Sequence, residues 1–261
     1  MTHRSIVLGL LLLLAASAPS QAATVLITGS NRGIGLELAK QYAESKWDVI
    51  ATARAPKEAV ELQALAKAHK NLRIEALDVT DFAAVDALAA KLKGTAIDVL
   101  INNAGILGGE PAAQKMGGID YAAMELVYRT NAVAPMKISE AFVEHVAASQ
   151  QKKIVVITSG TASLANVKPS QFFVPLYSYR MSKTAVNMGM RAMAMELAPR
   201  GILVGILAPG MVETRLLQQA GSGGRGIDAP TSVKGVMKNI ENLSPATSGQ
   251  YIIYTGDTVP W

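Results

Sequence analysis

The feature that most constrains this chain is an alternation. From residue 23 onward, short runs that are apolar at nearly every position change places with longer stretches of helical spacing. The runs fall at 24–28, 48–52, 72–77, 97–101, 153–158, 202–207 and 250–254, and the helical stretches include 33–45, 57–69 and 81–92. A strand that is apolar on both faces must be covered on both faces, which a parallel sheet flanked by helices achieves. The pattern predicts an α/β fold: a doubly wound parallel sheet of seven strands with helices on both sides.

No internal repeat or long linker breaks the alternation, so residues 23–261 read as one domain. Half the residues are hydrophobic and 17% are charged, which excludes a disordered chain. There is no cysteine, hence no disulfide framework, thiolate metal site or cysteine nucleophile. His3, His69 and His145 share no ligand-like spacing. Neither a metal site nor a Ser-His-Asp triad is expected. Lysine plus arginine (25) exceeds aspartate plus glutamate (20), a balance that attracts anions such as nucleotide phosphates. No basic run is present to suggest a nucleic-acid partner.

After the first strand comes Thr28-Gly29-Ser30-Asn31-Arg32-Gly33-Ile34-Gly35, then a helix. Glycines there permit a tight turn and a close approach of main chain to a pyrophosphate, and the helix start offers free N–H groups. At the first strand-to-helix junction of a doubly wound pattern, this reads as a Rossmann-type dinucleotide site. The end of the second strand, Thr52-Ala53-Arg54, lacks the acid that usually holds the ribose hydroxyls of NAD. Arg54 and Arg32 could instead clamp a 2′-phosphate, which favours NADP(H) over NAD(H). The plainer alternative is that both are ordinary surface charges.

Further on, Tyr179 and Lys183 open a long helical stretch, four residues apart and so on one face. A free tyrosine, with a pKa of about 10, is a poor base at neutral pH. A neighbouring ammonium is expected to draw that value down. Pro135, four residues after Asn131, has no N–H to give, so the Asn131 carbonyl should lose its helical partner and be free to hold a water.

Taken together and in order, Thr28–Gly35, Asp78-Val79, Asn102-Asn103-Ala104-Gly105, Asn131, Ser159, Tyr179/Lys183 and Pro209-Gly210-Met211-Val212-Glu213-Thr214 resemble the short-chain dehydrogenase/reductases across residues 24–261. The runs 177–183 and 256–261 are similar to the C-factor/sniffer-like carbonyl reductases within that family. The resemblance implies that Tyr179 gives a proton to a carbonyl oxygen while hydride arrives from a nicotinamide. Ser159 would orient that oxygen, Lys183 would hold the nicotinamide ribose, and Asn131 would anchor a water leading to solvent. Asp78 and Val79 would contact the adenine, Asn102, Asn103, Ala104 and Gly105 would flank the cofactor, Pro209, Gly210 and Val212 would also bind it, and Thr214 would reach the carboxamide side of the nicotinamide. The 20 positions from Ser159 to Tyr179 are more than the family leads one to expect, and Thr158 competes with Ser159 for the hydroxyl role. Thr161 is a weaker candidate, further into the loop.

Substrate contacts are expected from 106–118, 164–176 and 211–226, where Leu164, Phe172, Phe173 and Met211 suggest an apolar carbonyl compound. The glycine-rich stretch 221–226 reads as a mobile loop. Met181, Met188 and Met195 repeat every seven residues opposite the Tyr179/Lys183 face. They read first as packing on the preceding helix, and second as the seam of a homodimer.

Residues 1–22 read as a targeting signal: Arg4, an apolar stretch of eleven residues from 6 to 16, then Ser20-Gln21-Ala22. That stretch is shorter than the roughly 20 residues that span a bilayer. Export or membrane association is one reading; a cytoplasmic chain with a retained apolar tail is the other. Arg4 stands alone, so the twin-arginine signal for export of a folded, cofactor-loaded protein is missing. The function expected is NADPH-dependent carbonyl reduction. The alternative is a dinucleotide-binding sensor or signalling protein that turns over little.

Overall fold

The computed structural model describes residues 22–168 and 175–261. Seven strands form one parallel sheet: β1 (Thr24–Ile27), β2 (Asp48–Ala53), β3 (Leu72–Ala76), β4 (Val99–Asn102), β5 (Lys153–Ile157), β6 (Leu203–Ala208) and β7 (Tyr251–Ile253). Their order across the sheet is β3-β2-β1-β4-β5-β6-β7. The chain winds one way from β1 to β3 and the other way from β4 on, so a crevice opens beyond the ends of β1 and β4. Each strand edge lies within about two residues of the expected run.

The apolar runs serve two cores by simple alternation. Leu26, Leu100, Ile154 and Val156 point to one face, packing on Val85 and Leu88 of α3 (Phe82–Lys91), Ile138 and Phe142 of α5 (Ala134–Ala147), and Val186 and Met190 of α6 (Tyr177–Leu197). Val25, Ile27, Val99, Ile101, Val155 and Ile157 point to the other, covered by Leu38 and Tyr42 of α1 (Gly33–Glu44), Leu62 of α2 (Val60–Ala68), and Val233 and Val236 of α8 (Ala229–Glu241). The register Val25↔Val99 and Ile27↔Ile101 keeps like-facing residues side by side. Each such side chain, fully buried, contributes about 1.5–3 kcal/mol.

Two local features depart from the sequence expectation. The helix expected over 57–69 starts as a 3₁₀ turn at Pro56–Glu58, and α2 begins only at Val60. The helix through Asn131 is interrupted: α4 (Tyr121–Tyr128) gives way to a π-helical stretch at Arg129–Val133, where Ala134 N–H bonds to the Arg129 carbonyl, before α5 starts. Pro135 follows directly in α5, and the missing N–H is accommodated by the widened turn rather than by a kink. Glycine-rich 221–226 is bonded to Glu213, whose Oε2 accepts from Gly224 N (2.9 Å) and Gly226 N (3.4 Å).

The outer edge of β7 is covered by its own continuation. Ile253 N donates to Asp257 O (2.9 Å) and Val259 N to Tyr251 O (2.8 Å), so residues 256–259 turn back antiparallel along the strand.

Candidate active site

At the β1 end, the crevice is shaped by main chain. Gly29 and Gly33 have φ of 68° and 55°, left-handed values that glycine adopts without strain. A side chain at Gly29 would come within 2.9 Å of the Ala104 Cα, and one at Gly35 would strike the Gly29 carbonyl oxygen. Thr28 Oγ1 accepts from Asn103 N (3.0 Å) and Ala104 N (3.1 Å), while Asn103 Nδ2 donates to Thr28 O and Gly29 O. Thr28 and Asn103 thus fasten the glycine turn to the end of β4. Asn102 points away, its Nδ2 bonding to Ser139 Oγ at 3.1 Å.

The same turn fits an anion. Helix α1 starts at an extended Arg32 with no side-chain cap and no acid in its first turn, whereas α3, α4 and α8 are capped by Asp81, Asp120 and Asp228. Its first N–H groups and dipole end are left for a phosphate. Asn31 and Arg32 are exposed there and Ile34 is half-buried. Arg54 is exposed at the end of β2, and Val79 is buried after β3. Burial works to raise the Asp78 pKa, but bonds from Thr80 N (2.9 Å) and Thr80 Oγ1 (2.7 Å), with Arg54 nearby, hold the carboxyl below its ordinary value. Arg129, which belongs to no recognisable motif, braces this loop by donating to Thr80 O (2.8 Å) and stacking on Phe82.

At the β5 end, side chains take over. Tyr179 and Lys183 lie on the buried face of α6, 8% and 4% exposed. The Ser159 side chain is close enough to the Tyr179 phenol to act on its proton. Lys183 Nζ donates to Ile157 O at 2.8 Å and sits 5.8 Å from the Tyr179 ring centre. Burial brings the lysine down to about 8. Burial also pushes the tyrosine above its ordinary value, with Ser159 pulling partly back. This reverses the expectation of a lowered tyrosine: in this dry setting desolvation is the largest influence on the phenol. A phenol held protonated is suited to giving a proton.

Thr158 and Ser159 are told apart by geometry. The Thr158 hydroxyl turns to α6 and bonds to Asn187 Oδ1 at 2.6 Å, whereas Ser159 opens toward Tyr179. Thr161 is nearer than its place in the loop suggested, its Oγ1 2.9 Å from Ser159 Oγ. The Asn131 side chain holds the chain after β4, accepting from Ile106 N (2.9 Å) and donating to Ile106 O (2.8 Å) and Ser182 Oγ (3.1 Å). Gly105 joins the two ends: a side chain there would lie 3.3 Å from Asn131 Oδ1 and 3.5 Å from Lys183 Nζ.

The segment after β6 closes the remaining side. Pro209 is buried and accepts from Ser232 Oγ at 2.6 Å, Gly210 has φ of 81°, and Val212 bridges to Ile227. Thr214 caps α7 (Arg215–Gln219) and lies 3.4 Å from where a Gly33 Cβ would stand. The apolar neighbours of Tyr179 are Leu107, Leu176, Leu216 and Ala220. Leu164 and Met211 are instead exposed, and Phe172 and Phe173 lie outside the described residues. Gln114, buried and missed in the sequence, accepts from Tyr179 N (3.3 Å) and donates to Leu107 O (2.8 Å).

The methionine stripe corrects the first expectation for it. Met181, Met188 and Met195 are 53%, 70% and 61% exposed. Packing on α5 falls to the other side of α6, where Gly189 lets the Met136 sulfur approach closely.

The family description "short chain dehydrogenase" matches residues 23–223. Among curated proteins, C-signal of Myxococcus xanthus is 36% identical over 165 residues, 63% of this chain and 93% of that one. Among solved structures, the NADPH-bound carbonyl reductase from chicken fatty liver superposes with a TM-score of 0.83 at 35% identity, covering 92% of this chain and all of the other. Carbonyl reductase Sniffer of D. melanogaster does so with a TM-score of 0.79 at 28% identity and the same coverage.

Proposed function

The chain belongs to the short-chain dehydrogenase family, and we propose that within it this protein is an NADPH-dependent reductase of an apolar aldehyde or ketone. The observation that carries the reading is the buried Tyr179 phenol, with the Ser159 side chain acting on it and Lys183 one turn further along α6. When bound, the cofactor supplies the hydride. Tyr179 gives its proton to the carbonyl oxygen as charge develops there, and the Ser159 hydroxyl shares the hydrogen bonding of that oxygen. Lys183 holds the ribose next to the nicotinamide and steadies the phenolate left behind. Asn131 anchors the water through which the proton is replaced, with its carbonyl just ahead of Pro135. Thr28, Gly29, Asn31, Gly33, Ile34 and Gly35 cradle the diphosphate, Arg32 and Arg54 take the 2′-phosphate, and Asp78 and Val79 meet the adenine. Asn103, Ala104 and Gly105 flank the cofactor, and Pro209, Gly210, Val212 and Thr214 border the nicotinamide carboxamide.

The test is NADPH consumption by the purified protein against a panel of aldehydes, ketones and quinones, with Tyr179→Phe in parallel. Turnover that falls about 10²–10⁴-fold in the variant is the expected result. Tight NADPH binding with no turnover on any carbonyl would transfer the reading to a dinucleotide-binding signalling protein, which the likeness to C-signal favours.

The exposed methionine stripe supports a homodimer through α6. Sedimentation in solution tests it, and a monomer at tens of micromolar protein would rule it out. Residues 1–22 remain a proposed targeting segment ahead of one domain at 23–261, to be checked by sequencing the N-terminus of the mature protein.

A further inference from the structure

Ser159 and Tyr179 come from different elements, so their meeting depends on what ties the β5 loop to α6. The Ser159 carbonyl accepts the local Ala162 N–H (3.0 Å) and, from 92 residues away, the hydroxyl of Tyr251 on β7. The Tyr251 ring rests on the Trp261 ring with centres 5.5 Å apart. Trp261 O in turn accepts from Ala165 N at 2.9 Å, fastening the far end of the same loop. Arg191 of α6 lies over Trp261 at 5.7 Å while donating to Gly249 O at 2.7 Å, just before β7. Asn187 of α6 holds Thr158, next to Ser159. The serine loop, β7, residues 256–261 and the tyrosine helix thus form a closed circuit.

Resting on the reductase reading above, we infer that Tyr251 and Trp261 are positioning residues for the reaction, holding the Ser159 main chain so that its hydroxyl stays on Tyr179. Tyr251 grips one end of the loop and Trp261 the other, and the contact of their tilted rings makes the two grips one latch. A hydroxyl displaced by about 1 Å from a reacting group can lose about 10²-fold in rate, so a hold of this kind registers in turnover before it registers in cofactor binding.

The test uses the full chain with Tyr251→Phe, Trp261→Ala and the ring-retaining Trp261→Phe, each on the parent and on a Ser159→Ala background. On the parent, Tyr251→Phe and Trp261→Ala are expected to lower kcat for 4-nitrobenzaldehyde about 10-fold, with NADPH affinity unchanged and Trp261→Phe restoring most of the loss. On Ser159→Ala the same changes should cost less than about 2-fold, because their effect passes through that side chain. Equal losses on both backgrounds, or an unchanged kcat in Tyr251→Phe, would overturn the latch. A Ser159→Ala protein as fast as the parent would overturn the reductase site instead. Independently of any activity, amide hydrogen exchange across 158–165 should quicken in Tyr251→Phe and Trp261→Ala. Unchanged exchange there also overturns the latch.

Discussion

At the β1–α1 end of the crevice the cofactor side is shaped by glycine main chain, uncapped helical N–H groups and arginines that stand in solvent. At the β5–α6 end the chemical side is shaped by a phenol and an ammonium, both nearly sealed from water. The first end holds its geometry through close backbone approach and places its charges where hydration costs little. The second takes charge into a dry site, where every displacement and every proton has a large effect. On the proposed function, binding and reactivity draw on different physical sources, and substitutions at the two ends should fail in different ways.

The largest effect should come from Gly35→Ala. Its Cβ would strike the Gly29 carbonyl oxygen and the Asn103 amide, both main parts of the turn. NADPH binding should be abolished, along with a loss of stability above about 3 kcal/mol. A well-folded variant that still binds NADPH by fluorescence would show that the turn is looser than described.

Next is Arg54→Asp, which leaves the backbone alone. NADPH affinity should fall about 10–100-fold with NADH nearly unaffected, because only the former has a 2′-phosphate for the guanidinium to meet. Equal losses in titrations with the two cofactors would remove the basis for the cofactor preference.

The smallest effect, and the one peculiar to the chemical end, is on stability. Lys183 has a pKa of about 8 folded and about 10.4 unfolded. Below pH 8 both states carry the proton, and the buried ammonium destabilises the fold by about 3 kcal/mol relative to an unshifted lysine. Between pH 8 and the unfolded value, the folded state releases its proton first, so stability rises with pH and the penalty disappears. Lys183→Met should therefore raise the cofactor-free melting temperature by a few degrees at pH 7, the loss of its bond to Ile157 O offsetting part of the gain. The difference should fade as pH approaches 10.5. A variant less stable than the parent at pH 7, or a difference that grows with pH, would contradict the assignment.

Much of the frame is legible in the sequence because sheet burial on two faces leaves a local trace. The strands are apolar runs, and the glycine turn sits at the first junction. Even the choice between Thr158 and Ser159 carries a trace: Thr158 continues the parity of Ile154 and Val156, which face α5 and α6. Helix interruptions are harder to see. Pro135 signals trouble near Asn131 but does not say that it takes the form of π turns. Least legible are the supports reached over long sequence separations. Gln114 under Tyr179, Arg129 under Thr80 and Tyr251 under Ser159 have no periodicity or spacing to announce them, because each contact exists only once the chain has folded. The tyrosine pKa is hidden for the same reason. Spacing puts Tyr179 and Lys183 on one face, while burial, which sets the sign, belongs to the whole fold.

The return of residues 256–259 along β7 also decides how copies of this molecule can meet. An open sheet edge is a template on which another chain can continue the sheet. Here the outward peptide groups of Tyr251 and Ile253 are already engaged by Val259 and Asp257. At the opposite edge, β3 carries Arg73 and Glu75, with Lys91 of α3 drawn to Glu75 at 2.5 Å. Growth of the sheet into a fibre or a sheet-to-sheet dimer is therefore obstructed at one margin by the chain itself and at the other by charge.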